Sequence, residues 1–246
     1  MSQRSGYKRG VPCWVDTWQG EAAAGFYTEL FGWEAARGEY SIFRLRGRDV
    51  AGLGGEPVEP AAWTTYIQVD DADRAADAVT EAGGSLVRQP FDSLDGGRLA
   101  IAADPAGGVF AVWQLGEHSG AAVVNEPGAW AMSILSTPDP EAAKAFYGAV
   151  FGWETESFGP ATMFRLPGFV GGEPQQPVPR DVVAVMMQGD AAAWTPDFWV
   201  HGADAVATHA CELGGSVLMP PSDTGVGRTA VLADPAGAVF SVSKVV

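Results

Sequence analysis

The sequence predicts an α+β protein built as a tandem repeat, each half made of two β-α-β-β-β modules. The first observation behind this is self-similarity. FYTELFGW at residues 26 to 33 returns as FYGAVFGW at 146 to 153, and ADPAGGVF at 103 to 110 returns as ADPAGAVF at 233 to 240. Between these anchors Trp63 corresponds to Trp194, AGGS at 82 to 85 to LGGS at 213 to 216, and Gly97-Arg98 to Gly227-Arg228. Such repetition marks an internal duplication. The second observation is length: 246 residues exceed one small core and suit two domains. The third is that strand-like and helix-like stretches alternate twice, in the same order, within each half.

The elements follow in order along the first half. A short strand at 11 to 18 leads into a helix at about 21 to 32, where Ala22, Phe26 and Leu30 recur every four residues on one face. Short strands are expected near 40 to 46 and 49 to 53. TTYIQV at 64 to 69 is the next strand, and a helix from Asp71 to Ala82 is closed by Gly83-Gly84. Strands at 85 to 89, 98 to 103 and 108 to 114 complete the half. LGEHSGAAVVNEPGA at 115 to 129, rich in Gly and small residues, reads as the linker and divides the chain into 1–118 and 119–246. In the second half, Asp139-Pro140-Glu141 supplies a cap, a first-turn proline and an acid matched to the helix dipole.

Composition narrows the partners. Apolar residues make up 47% and charged residues 18%, with 32 Gly and 17 Pro, as in a turn-rich globular chain. Fifteen Lys plus Arg against 30 Asp plus Glu leave a net charge of -15, which repels phosphate backbones and anionic headgroups. Nucleic acid and membrane surfaces are therefore not expected partners. No apolar run approaches the roughly 20 residues of a membrane span, and MSQRSGYKRG has no apolar signal core, so a cytoplasmic monomer or homodimer with a small-molecule ligand is expected. Cys13 and Cys211 fall in different halves without metal-ligand spacing and read as two buried small hydrophobes.

Paired β-α-β-β-β modules, FYxxxFGW after the first helix and ADPxGxVF before the last strand together resemble the vicinal oxygen chelate (glyoxalase, bleomycin resistance and dioxygenase) superfamily, and the resemblance implies that each half curves a mixed sheet into a cup with helices outside. PCWVD at 12 to 16, WTTYIQVDDAD at 63 to 73 and VNEPG at 124 to 128 narrow the resemblance to two-domain, glyoxalase-like actinobacterial proteins, over nearly the whole chain. In metal-dependent relatives each domain supplies four His, Gln or Glu ligands, from the first and last strands of each module. The resemblance puts those places on Trp14, Thr64, Ala111 and within Val50 to Gly54 in the first half, and on Met132, Thr195, Ser241 and within Phe169 to Gly172 in the second. None carries an acid or imidazole, and His118, His201 and His209 sit in the linker, at a strand end and in a helix. Divalent metals need converging His, carboxylate or thiolate ligands, so neither a metal nor another cofactor is expected.

What remains is an organic site. Side chains alternate along a strand, so Trp14 shares its face with Asp16, Thr64 with Tyr66 and Gln68, and Ala111 with Trp113. An aromatic cup with one carboxylate and one phenol suits a flat apolar ligand. Apolar walls would tune Asp16 toward acid-base work; the plainer alternative has Asp16 bonding neighbouring backbone and the indoles filling core. In the second half Ile134 stands at the place of Asp16 and Asp197 at the place of Tyr66. Asp197 and Trp199 should face Met132, Ile134, Ser241 and Ser243, making Asp197 an acid-base candidate or else a solvated turn residue after Pro196. Arg98 and Arg228, each after a glycine, are candidates to bind a carboxylate or enolate, or are ordinary surface arginines. No nucleotide loop and no Ser or Cys with a His partner is present. The expected function is a metal-free tailoring step (proton transfer, cyclisation, lyase or isomerisation) on a hydrophobic or aromatic metabolite, with Asp16, Asp197 and Tyr66 as catalytic candidates. A sequestering binding protein and a purely structural module with closed cups are the alternatives.

Overall fold

A computed structural model describes residues 6–35, 40–93, 97–171 and 178–245. The first half runs β1 (Pro12–Trp18), α1 (Glu21–Phe31), β2 (Glu34–Ala35), β3 (Tyr40–Leu45), β4 (Arg48–Gly54), β5 (Trp63–Gln68), α2 (Ala72–Glu81), β6 (Ser85–Asp92), β7 (Arg98–Ala103) and β8 (Val109–Gln114). The second runs β9 (Trp130–Thr137), α3 (Pro140–Phe151), β10 (Glu154–Phe158), β11 (Ala161–Arg165), β12 (Val182–Gln188), β13 (Ala193–Trp199), α4 (Ala203–Glu212), β14 (Ser216–Thr224), β15 (Gly227–Ala233) and β16 (Val239–Val245). Local chemistry sets these limits. Asp71 and Asp139 accept the backbone N–H three residues on, 3.0 Å each, and Gly32 and Gly152 close α1 and α3 at φ 68° and 72°. The Ala22 side chain lies outside the described set. Among the described residues no helix is long and apolar enough to cross a membrane.

Each half forms one eight-stranded mixed sheet, ordered β2-β3-β4-β1-β5-β8-β7-β6 and β10-β11-β12-β9-β13-β16-β15-β14. The last strand of the third module is β12, not the stretch from Phe169 to Gly172. Phe169, Val170 and Gly171 belong to the β11–β12 connection, and Gly172 lies outside the described residues. The glycine pair after Val170 imitates Gly54-Gly55, but the apolar run that can pair with β9 comes later, at VVAVMMQ.

The helices lie outside each cup yet inside the molecule. One core joins α1 and the convex face of β1 and β4 (Cys13, Val15, Ala51) to α4 and to Phe198, Phe240 and Val242 of the second half. The other joins α2 and Ile67, Ala100 and Val112 to α3 and Phe164. The repeated motifs fasten this arrangement. Tyr27 donates to Asp234 Oδ2 (2.7 Å) and accepts Trp63 Nε1–H (2.9 Å). Its counterpart Tyr147 donates to Asp104 Oδ2 (2.9 Å) and accepts Trp194 Nε1–H (2.9 Å). The other oxygen of each aspartate holds its own turn, through Ala106 and Gly108 N–H or Ala236 and Ala238 N–H. Trp33 and Trp153 donate across the halves to Gly128 O (2.6 Å) and Gly10 O (2.7 Å). Gly84 and Gly215 must lack a Cβ: one added there would lie 2.8 Å from Phe146 Cε2 or 3.0 Å from Phe26 Cε2. Cys13 is buried as expected, whereas Cys211 is exposed on α4, because its position falls on the outer side of that helix.

Candidate functional site

The two cups share one backbone plan and differ in filling. In the first, partners across β1, β5 and β8 are Trp14 with Tyr66, Asp16 with Thr64, Tyr66 with Ala111 and Gln68 with Trp113, so these side chains share the concave face. Asp16 is wholly buried. Its Oδ2 accepts the hydroxyls of Tyr66 (2.7 Å) and Tyr40 (3.1 Å) and the indole N–H of Trp18 (3.2 Å), and Trp14 Nε1–H donates to Tyr40 (2.8 Å). Gly52 and Gly54 opposite make room, since a Cβ at either would collide with Tyr40 or Trp18.

The gap between the indoles of Trp14 and Trp113 is already taken. His118, from the connection after β8, stacks on Trp113 (centroids 5.6 Å apart, 20° between planes) and meets Trp14 edge-on (4.7 Å, 76°). A flat ligand expected in that gap meets the protein's own imidazole instead. Tyr66 also packs its ring on Trp113 at 5.8 Å. The first cup is thus an aromatic plug.

The second cup replaces those rings with smaller groups, while Val185 and Met187 stand where the first cup has Gly52 and Gly54. The pairings of β9, β13 and β16 put Met132 at the place of Trp14, Ser136 at Trp18, Ala161 at Tyr40, Asp197 at Tyr66 and Ser243 at Trp113. Met132, Ile134, Val185 and Trp199 are consequently half-buried, whereas their counterparts Trp14, Asp16, Gly52 and Gln68 are buried. At the floor, Asp197 Oδ1 accepts the hydroxyls of Ser241 (2.7 Å) and Ser243 (2.8 Å), and Oδ2 has no partner among the described residues. Burial pushes the Asp197 carboxyl up to about 6, against the pull of the two serines. Asp16 is likewise pushed up to about 6 by burial, opposed by Tyr66, Tyr40, Trp18 and Thr64, while Tyr66 is raised well above its usual range by burial and then by the Asp16 charge.

Two expected site residues lie on the other face. Leu99, not Arg98, pairs with Trp113 inside the first cup. Arg98 instead grips Asp73 (2.6 and 2.9 Å) and Asp92 (2.8 Å), and Arg228 grips Asp204 (2.5 and 2.7 Å) and Asp223 (3.1 Å). Both arginines clip a helix start to the neighbouring hairpin and touch neither cup. Tyr40, Trp18 and His118 are the members that sequence reasoning missed. Gly52 and Gly54 were the available signal for the first two.

The fold's metal places hold a poor donor set. Trp14, Thr64 and Ala111, and Met132, Thr195 and Ser241, supply no carboxylate or imidazole, and β12 carries none either. Among the described residues no three His, Cys, Asp or Glu side chains converge, so these positions do not fit a divalent cation.

Two cups of paired β-α-β-β-β modules define a tandem glyoxalase-type protein. The glyoxalase-like domain family matches residues 13–113 and 119–243, and the chain belongs to that family. Putative glyoxylase CFP32 of Mycobacterium tuberculosis (strain CDC 1551 / Oshkosh) is 39% identical over 265 residues, spanning 99% of this chain and 98% of that protein. Anthracycline biosynthesis protein DnrV of Streptomyces peucetius is 36% identical over 261 residues, spanning 95% and 92%. The fold is shared with the Mn(II)-bound glyoxalase from Novosphingobium aromaticivorans (TM-score 0.68, 15% identity, 97% of this chain and 83% of that one). It is shared also with the 2,3-dioxygenase LapB from Pseudomonas sp. KL28 (TM-score 0.65, 14% identity, 97% and 93%).

Asp16 and Asp197 make stability depend on pH in a stated direction. Each binds its proton more tightly folded (about 6) than unfolded (3.8), so this contribution falls as pH rises through that window and is level above it. Two pKa units correspond to about 3 kcal/mol per group. Urea midpoints of the Asp16→Asn/Asp197→Asn chain should therefore lose less between pH 4.5 and 7.5 than those of the parent. Equal losses would remove the two groups from the account.

Proposed function

We propose that this protein acts without a metal on a hydrophobic or aromatic small metabolite held in the second cup, in a natural-product tailoring step of the proton-transfer, cyclisation, lyase or isomerisation kind. Asp197 is its acid-base residue. The observation that carries this reading is the carboxylate itself: it is buried beneath the half-buried apolar side chains of Met132, Ile134, Val185 and Trp199, with one oxygen held by two serines and the other unengaged among the described residues. Its proton affinity, near 6, is matched to proton transfer around neutral pH. The likeness to DnrV supports a biosynthetic setting. Asp16 and Tyr66 serve the aromatic plug of the first cup, and the protein works in the cytoplasm as a monomer or homodimer.

The metabolite class can be read by mass spectrometry of small molecules retained on the purified protein. Turnover of that metabolite should survive exhaustive chelation, with no stoichiometric divalent metal in untagged protein. Activity lost on chelation and restored by one equivalent of metal would end the metal-free reading. One observation favours sequestration instead: no other titratable side chain stands on the concave faces of β9, β12, β13, β15 and β16 beside Asp197. Stoichiometric ligand protection without product selects that alternative.

A further inference from the structure

We infer that the second cup selects an apolar ligand carrying a protonated amine and rejects anionic ligands, an inference that rests on reading this cup as the ligand site. The argument begins with the hydrogens. Ser241 and Ser243 both direct their hydroxyl protons to Asp197 Oδ1, so neither serine has a donor left for a ligand. Oδ2 has no partner among the described residues and is not sealed from solvent, so a ligand donor can reach it.

No cation among the described residues pairs with that carboxylate. Among the described residues, the concave positions of β9, β12, β13, β15 and β16 carry no Lys, Arg or His. Arg228 and Lys244 alternate onto the convex side, where Asp204 and Asp223 hold the former. On the opposite wall Arg165 is bound by both Glu156 and Asp181, two carboxylates to one guanidinium. The chain's net charge of -15 has the same sign.

An anionic ligand would thus meet a desolvated carboxylate with nothing to neutralise either charge, which is repulsive at low dielectric. An ammonium group supplies the absent counter-charge and a charge-assisted hydrogen bond to Oδ2. The rest of the ligand must be apolar, because Met132, Ile134, Val185, Val231 and the indole of Trp199 form the half-exposed wall. Trp199 also offers its face to a cation. The first cup offers no matching place: Asp16 Oδ2 already receives three donors, and its Oδ1, without a partner among the described residues, is sealed in the core.

Three matched probes test this: naphthylmethylamine, naphthylmethanol and naphthoic acid, titrated near pH 7.5 by calorimetry with Trp199 followed by NMR. The amine should bind roughly 10-fold tighter than the alcohol, with the acid weakest. Asp197→Asn should bring amine and alcohol level. Acid binding as tight as amine, or an amine preference unchanged in folded Asp197→Asn, overturns the inference while leaving the cup as a site. Failure of all three to bind or to shift Trp199 overturns the cup reading itself. Should the variant misfold, the rank order in the parent protein decides the matter.

Discussion

A chain carrying both Tyr27→Phe and Tyr147→Phe is expected to melt roughly 10 to 25 °C below the parent. Each tyrosine hydroxyl is buried between an indole N–H and a carboxylate oxygen: Trp63 and Asp234 for Tyr27, Trp194 and Asp104 for Tyr147. Phenylalanine keeps the ring contacts with the surrounding aromatics but leaves a donor and a charged acceptor facing each other's lost partner. An unsatisfied buried pair of this kind costs about 2 to 4 kcal/mol, and for a chain of this size each kcal/mol moves Tm by about 2 to 4 °C. The two sites share no partner, so their effects should add. Because the two tyrosine–aspartate bonds join one half to the other, the variant should also lose the single transition and unfold in two steps. A melting point within about 3 °C of the parent would show that the aromatic packing alone holds the halves together.

The same bonds show where the sequence is legible and where it is not. The duplicated motifs are visible because both halves need the same residues, and local signals (Asp caps, glycine stops, alternation) reach the element limits closely. Their purpose is invisible from one strand or helix, since Tyr27 meets a residue 207 positions away. The stretch after Phe169 misled because a glycine pair resembles a strand end, whereas pairing with β9 decides which segment becomes β12. In the cups, alternation is a local property, so Trp14 with Asp16 and Asp197 with the concave face of β13 follow from the chain alone. Arg98 and Arg228 lie one residue out of phase with the inward positions, and one residue reverses the face. His118 enters the first cup from a connection without periodicity, where no pattern could announce it. That the first cup is filled with aromatic rings and the second with smaller, half-buried groups emerges only when Trp14, Trp18, Tyr40 and Trp113 are set against Met132, Ser136, Ala161 and Ser243.

Turnover of the retained metabolite should fall by roughly 100-fold or more in Asp197→Asn, the scale of removing a positioned acid or base. Asparagine is nearly isosteric, and its carbonyl oxygen can still accept the hydroxyls of Ser241 and Ser243. What disappears is the titratable proton. Because the substitution also weakens any cationic ligand, the comparison belongs at saturation, where kcat reports the chemical step rather than binding. The pH profile identifies the role. With Asp197 near 6, a general base gains activity as pH rises through that value, and a general acid loses it. That limb should vanish in the variant. Asp16→Asn is the decisive comparison, because Asp16 has the same raised proton affinity but lies beneath Tyr40, Tyr66 and Trp18 in the plugged cup. If Asp16→Asn abolishes turnover while Asp197→Asn retains it, the chemistry belongs to the first cup, and His118 must leave the gap between Trp14 and Trp113 for a substrate to enter. If both variants keep full activity, neither carboxylate moves the proton, and the second cup holds its ligand without reacting through Asp197.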